Sequence, residues 1–173
     1  MVKLIASIGA IALLLAPGVA LGAAPPNDAQ IAHIAYTAGN IDIAAAKQAL
    51  AKSGNKAVRG FAQEMVRDHQ AVNDKALALV KTLHVTPEQN PTSSALTSQA
   101  EKKRAELAKL SGAAFDRAYT ANEVAYHQTV NSALADTLIP SAQNAELKSL
   151  LQTGLVLFKE HQAHAEHLSA SLK

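Results

Sequence analysis

Two six-residue phrases in the chain are near copies. VRDHQA spans residues 66–71 and FKEHQA spans residues 158–163. Each reads apolar, basic, acidic, His, Gln, Ala. Each also sets a histidine where a helical apolar stripe expects Leu. His69 falls between Met65 and Val72, and His161 falls between Phe158 and Ala165. An imidazole facing a core costs on the order of 1–3 kcal/mol when its ring nitrogens lack partners. Carboxylates are therefore expected to face the same interior. The first apolar segment offers Asp42, beside Ile41 and between Ala38 and Ala45. The segment before the last turn offers Glu123, at the edge of a stripe made by Phe115, Tyr119, Tyr126 and Val130. His127 lies one helical turn beyond Glu123, and residues four apart share a face.

Counting from the turns puts these groups at similar levels. Asp42 is 12 residues before Gly54 and His69 is 15 after it, a mismatch of ~4.5 Å in an antiparallel hairpin. Glu123 is 17 before Pro140 and His161 is 21 after it, a mismatch of ~6 Å. Each hairpin thus brings one carboxylate and one histidine to its middle. Asp42, His69, Glu123, His127 and His161 together form a ligand set for a divalent first-row metal such as zinc, iron or manganese. A second reading stays open: a buried network, Asp42 to His69 and Glu123 to His161, that fixes how two related hairpins dock. Tyr119, one turn before Glu123, can donate a hydrogen bond to it.

These residues need helices to position them. From residue 28 onward the chain is rich in Ala, Leu, Lys, Gln and Glu, and β-branched residues rarely cluster. Apolar residues recur at Val58, Phe61, Met65, Val72, Ala76, Leu79 and Leu83, and again at Leu147, Leu151, Phe158, Ala165, Leu168 and Leu172. Those are mostly helical steps of three and four. Gly54 is expected to end the first helix and Asn55 to cap the second. Pro87 and Pro91 break the pattern, and Ser93 or Ser94 can cap a helix over 94–110. Ser111-Gly112 interrupts before a helix over 113–137. LIPSAQN then turns the chain, and Asn144 caps the last helix. A helix of ~30 residues is ~45 Å long. The loop at 84–93 cannot span that length, but the helix at 94–110 can carry the chain most of the way back. The expected fold is all-α, a ferritin-like four-helix bundle with an extra helix in the crossover connection. A simple up-and-down bundle with a kinked third helix is the alternative.

Lys3 followed by the uncharged run Leu4–Ala24, ending in VALGAA before Pro25-Pro26, has the layout of a secretory signal. Cleavage is expected after Gly22, Ala23 or Ala24, and Pro17 argues against an uncleaved anchor. The expected organisation is a signal peptide over 1–24 and one helical domain over 28–173. The chain has no Cys, which excludes a lipid-anchored lipoprotein and any disulfide framework. Of 16 Lys and Arg, Lys3 lies in this leader, leaving 15 against 14 Asp and Glu. That balance predicts no nucleic-acid partner and at most peripheral membrane association. A protein partner is left open. With three Phe, three Tyr and no Trp, a sugar-binding or base-stacking surface is not expected.

Three stretches carry a resemblance to a known family: VRGFAQEMVRDH ending at His69, LSGAAFDRAYTANEVAYH ending at His127, and ELKSLLQTGLVLFKEH ending at His161. The chain resembles the exported bacterial proteins of domain of unknown function 4142, often labelled predicted outer membrane proteins and grouped with the ferritin-like fold. The resemblance runs from about Ala29 to Leu172. It implies a signal peptide, an all-helical fold and export, to the periplasm or the outer membrane, and it implies no established reaction. The chain departs from di-iron bundles, which carry Glu-x-x-His on two helices. Here Glu64 is followed three residues on by Arg67, and Glu160 by Ala163. Asp68 and Glu160 precede their histidines by one residue, point about 100° away, and are expected to pair with Arg67 and Lys159 at the surface. His164 and His167 are expected in solvent, and Tyr36, Tyr119 and Tyr126 in the core. The expected function is a non-catalytic envelope protein with a metal-capable interior. A metal-dependent oxidoreductase and a ligand-free, stress-related partner-binding bundle are the alternatives.

Overall fold

The computed structural model describes residues 24–172, and the expected signal peptide lies outside them except for Ala24. The described residues form α1 (Asp28–Lys52), α2 (Lys56–Thr82), α3 (Pro91–Ala108) and α4 (Gly112–Ala133). A π-helical turn, Leu134–Leu138, and a short turn, Ile139–Ser141, lead to α5 (Ala145–Ser171). Among the described residues there is no strand, so the protein is all-α.

Local chemistry sets most helix ends. Asn27 caps α1 in a reciprocal box with Gln30, and Asn55 accepts from the amides of Ala57 and Val58 at the start of α2. Asn144 does the same for α5, accepting from Glu146 and Leu147. Two expectations are corrected. Ser53, in extended conformation, terminates α1; Gly54 does not adopt a left-handed conformation. Asn90, not Ser93 or Ser94, caps α3, because Pro91 suits the first helical position, where its missing N–H costs nothing. Pro140 shapes the end of α4. Its ring excludes a regular turn, and just before it the Ile139 amide bonds back five residues to the Leu134 carbonyl.

Helices α1 and α2 form one antiparallel hairpin, and α4 and α5 form the other. The hairpins meet where α2 packs on α5 and α1 on α4. Helix α3 runs parallel to α1, with Gln48 bonded to the Arg104 carbonyl and Lys52 to that of Ala108. It returns the chain from the end of α2 to the start of α4, so the connection is a long crossover. At its start, Asn90 also bonds the Gln30 carbonyl.

The interior has three levels. One end is tightly packed by Phe61, Met65, Phe115, Tyr119 and Leu168. The other end holds Ile31, Ile34, Leu134, Leu138, Leu147 and Leu151. Between them lies a polar layer. Near it α1 and α2 approach closely at Gly39, where an added Cβ would stand 2.3 Å from Asn73 Oδ1. Only glycine leaves space for that amide, which also bonds Asn40.

Candidate metal centre

The polar layer consists of Asp42 on α1, His69 on α2, Glu123 and His127 on α4, and His161 on α5. None is more than 2% exposed. All five residues singled out in the sequence therefore come together at mid-bundle. The three imidazoles form a near-equilateral group, with ring centroids 5.7 Å (His69–His127), 5.3 Å (His69–His161) and 5.6 Å (His127–His161) apart. One nitrogen from each lies within 4.8 Å of the others. Phe158 stacks on His69 at 4.6 Å and 11°, which fixes that ring's plane.

Hydrogen bonds decide which lone pairs face inward. His127 Nδ1 donates to the Glu123 carbonyl at 3.0 Å, which leaves Nε2 free. His161 Nε2 donates to Asp68 Oδ2 at 3.1 Å, which leaves Nδ1 free. Neither ring nitrogen of His69 has a hydrogen-bond partner. Asp42 Oδ2 stands 3.3 Å from His69 Nε2 and 3.4 Å from His127 Nε2, and neither contact is a hydrogen bond. Glu123 Oε2 lies 3.9 Å from His127 Nδ1, and Asp42, Glu123 and His127 form a second group whose ligand atoms lie within 4.8 Å of one another.

Burial dominates the electrostatics. It raises the Asp42 carboxyl above its ordinary value, against the pull of His127 and His161. Burial also raises Glu123 well above its usual range, and the neighbouring Asp42 adds to the rise. It pushes His69 down to about 3, with His161 adding to the fall. It pushes His127 down to about 4, with Asp42 opposing. Each shift favours a neutral group, which is what a water-excluded interior demands. A divalent cation would reverse this for the carboxylates and would use the neutral imidazoles as they stand.

The expected pairs are met only in part. Asp42 does face His69, and it faces His127 equally. Glu123 does not pair with His161. It lies against His127, one turn further along α4, and the next turn meets α5 through Asn131, which bonds the Phe158 carbonyl and Gln162. Asp68 is the residue sequence reasoning missed. It binds Arg67 as expected, at 2.7 and 3.0 Å, but it also reaches across to His161. Arg67 holds its carboxyl below the ordinary range, so it accepts as an anion. Its position between Arg67 and His69 was the available signal. The Tyr119 hydroxyl has no hydrogen-bond partner, so the expected bond to Glu123 is absent. Tyr126 donates to the Ala38 carbonyl at 2.7 Å, and both Tyr126 and Tyr36 are half-buried rather than in the core. His164 and His167 are exposed. His164 Nδ1 meets Glu64 Oε2 at 2.8 Å.

Fold and site define an all-helical protein with a buried histidine and carboxylate cluster of a kind that can hold a metal ion. The chain belongs to the family described as Domain of unknown function (DUF4142), which it matches over residues 16–168. No curated protein and no solved structure matches it. Among the described residues no helix is long and apolar enough to cross a membrane.

Proposed function

We propose that this is an exported, envelope-located metal-binding bundle in which His69, His127, His161 and Asp42 hold one divalent first-row ion, with zinc, iron or manganese the candidates. One observation carries the reading. His127 and His161 each have one nitrogen tied to an oxygen acceptor and the other free towards a shared interior. Metal-ligating histidines have this arrangement, because the outer bond fixes tautomer and ring orientation. A docking network would give the inward nitrogens hydrogen bonds, and His69 Nδ1 and Nε2, His127 Nε2 and His161 Nδ1 have none.

Distances support the same reading. Ligands at 2.0–2.1 Å around a tetrahedral ion are ~3.3 Å apart, and Asp42 Oδ2 already stands 3.3 and 3.4 Å from the nitrogens of His69 and His127. Glu123 orients His127 through its carbonyl, and its carboxyl lies within 4.8 Å of ligand atoms of Asp42 and His127, a second carboxylate within reach of the ion. Export rests on the Lys3 and Leu4–Ala24 leader pattern.

The test is elemental analysis of protein purified from its native envelope without chelator or histidine tag. Near-stoichiometric metal, lost in the His69→Ala/His161→Ala double variant, is the expected result. A folded protein that takes up no zinc, iron or manganese would leave the cluster as a docking device. Redox-cycling iron or manganese in that sample would point to the oxidoreductase alternative.

A further inference from the structure

One side of the polar layer opens into a cavity of about 630 Å³. That lies within the ~300–1,000 Å³ of small-molecule sites. His69 and His127 stand at its inner end, and its walls include Val72, Ala76, Val130, Leu134, Leu138 and Leu151. From His69 to Val80, both of which line it, eleven residue steps along α2 give a length of ~16 Å. Its outer end is framed by Pro26, Asn90 and Pro91. The opposite half of the bundle is closed by Phe61, Phe115 and Tyr119, so the polar layer is approached from this side.

Two further features mark the cavity as a ligand site rather than loose packing. The inner end is formed by unpartnered polar atoms, since both His69 nitrogens and His127 Nε2 lack hydrogen bonds in residues no more than 2% exposed. Gly154, in the middle of α5, also lines the cavity. A Cβ there would meet only the Phe158 ring, at 3.5 and 3.8 Å, which is ordinary contact. Packing does not require this glycine, and glycine inside a helix costs ~1 kcal/mol relative to alanine. What it does is hold the wall back from the inner end.

We infer that the cavity binds an elongated lipophilic monocarboxylic acid, its tail along the apolar walls and its carboxylate on the metal ion at the inner end. The tail assignment stands on the cavity alone, while the head-group assignment rests on the metal reading. Three neutral imidazoles and Asp42 leave a dication with surplus positive charge in a water-poor setting. His69 and His127 are the ligands that line the cavity, so an outside anionic oxygen reaches the ion on the face between them, as a fifth ligand. At ~1.3 Å of advance per carbon, a chain of about a dozen carbons fills the available length.

The experiment is calorimetric titration of the zinc-equilibrated protein with dodecanoic acid and with its methyl ester, with zinc content measured on the same sample. One equivalent of dodecanoate is expected to bind, and the ester at least tenfold more weakly. Gly154→Leu and, separately, Val72→Phe should keep zinc and the melting temperature yet weaken dodecanoate at least tenfold. Stoichiometric zinc with no dodecanoate binding would overturn the inference and leave the metal site standing. Absent zinc, with acid and ester bound equally, would overturn the metal reading and the head-group assignment together.

Discussion

His127 Nδ1 donates to the main-chain carbonyl of Glu123, one turn earlier on the same helix, at 3.0 Å. That bond sets the ring so that Nε2 faces Asp42 at 3.4 Å. A helix thus orients its own histidine without a second helix. His127→Gln removes this nitrogen while keeping bulk. Zinc affinity is expected to fall at least a hundredfold, and isothermal titration would show it. Unchanged affinity would remove His127 from the ligand set.

Asp68 does from α2 what the Glu123 carbonyl does from α4. It fixes the His161 tautomer by accepting from Nε2. Loss of such an outer partner costs metal sites 10–100-fold in affinity as an order of magnitude, about what Asp68→Ala should show. Arg67→Ala leaves the carboxylate in place and is expected to change zinc affinity by less than about threefold, because Arg67 is exposed and solvent screens its charge. Equal losses in both variants would argue for a purely structural effect.

Protons and the ion compete for the same lone pairs. Burial pushes His69 to about 3 and His127 to about 4, from an ordinary 6.5. A lowered pKa keeps the neutral, ligating form as pH falls, so the ion should persist well below the range in which an exposed histidine site lets go. Zinc release, followed with a chromogenic chelator, is expected with a midpoint below about pH 5.5. A midpoint at or above 6.5 would mean that the ligands are solvated.

An ion that binds only the folded chain stabilises it. At a hundred times its dissociation constant the gain is ~2.7 kcal/mol, or roughly 5–10 °C in melting temperature for a domain of this size. Adding a chelator should lower the melting temperature by that amount, and zinc should restore it.

In the metal-free protein, His69 is a buried polar side chain without hydrogen-bond partners. Replacing such a group by an apolar one of similar size is neutral or stabilising by ~1 kcal/mol or more. His69→Leu should therefore melt at or above the metal-free wild type, and should no longer respond to zinc. A strongly destabilised His69→Leu protein, with no zinc response in the wild type, would instead favour the docking network.

How far the sequence alone determined this protein can be judged residue by residue. The helices followed from period and composition, and Asn55 and Asn144 announced their caps because capping is a contact between near neighbours. The crossover followed from arithmetic, since a short loop cannot cover the length of α2. The five polar residues were legible because each interrupts or edges an apolar stripe, and burial of such a group demands a reason. The partners were not legible. Whether Glu123 faces His161 or His127, and whether Asp68 turns to solvent or to α5, depends on helix rotation and axial offset of a few ångströms. Those are fixed by packing across the hairpins. The cavity was invisible for the same reason. Val72, Ala76 and Leu151 read as core residues in sequence, and only the spacing of α2, α4 and α5 in three dimensions leaves room between them.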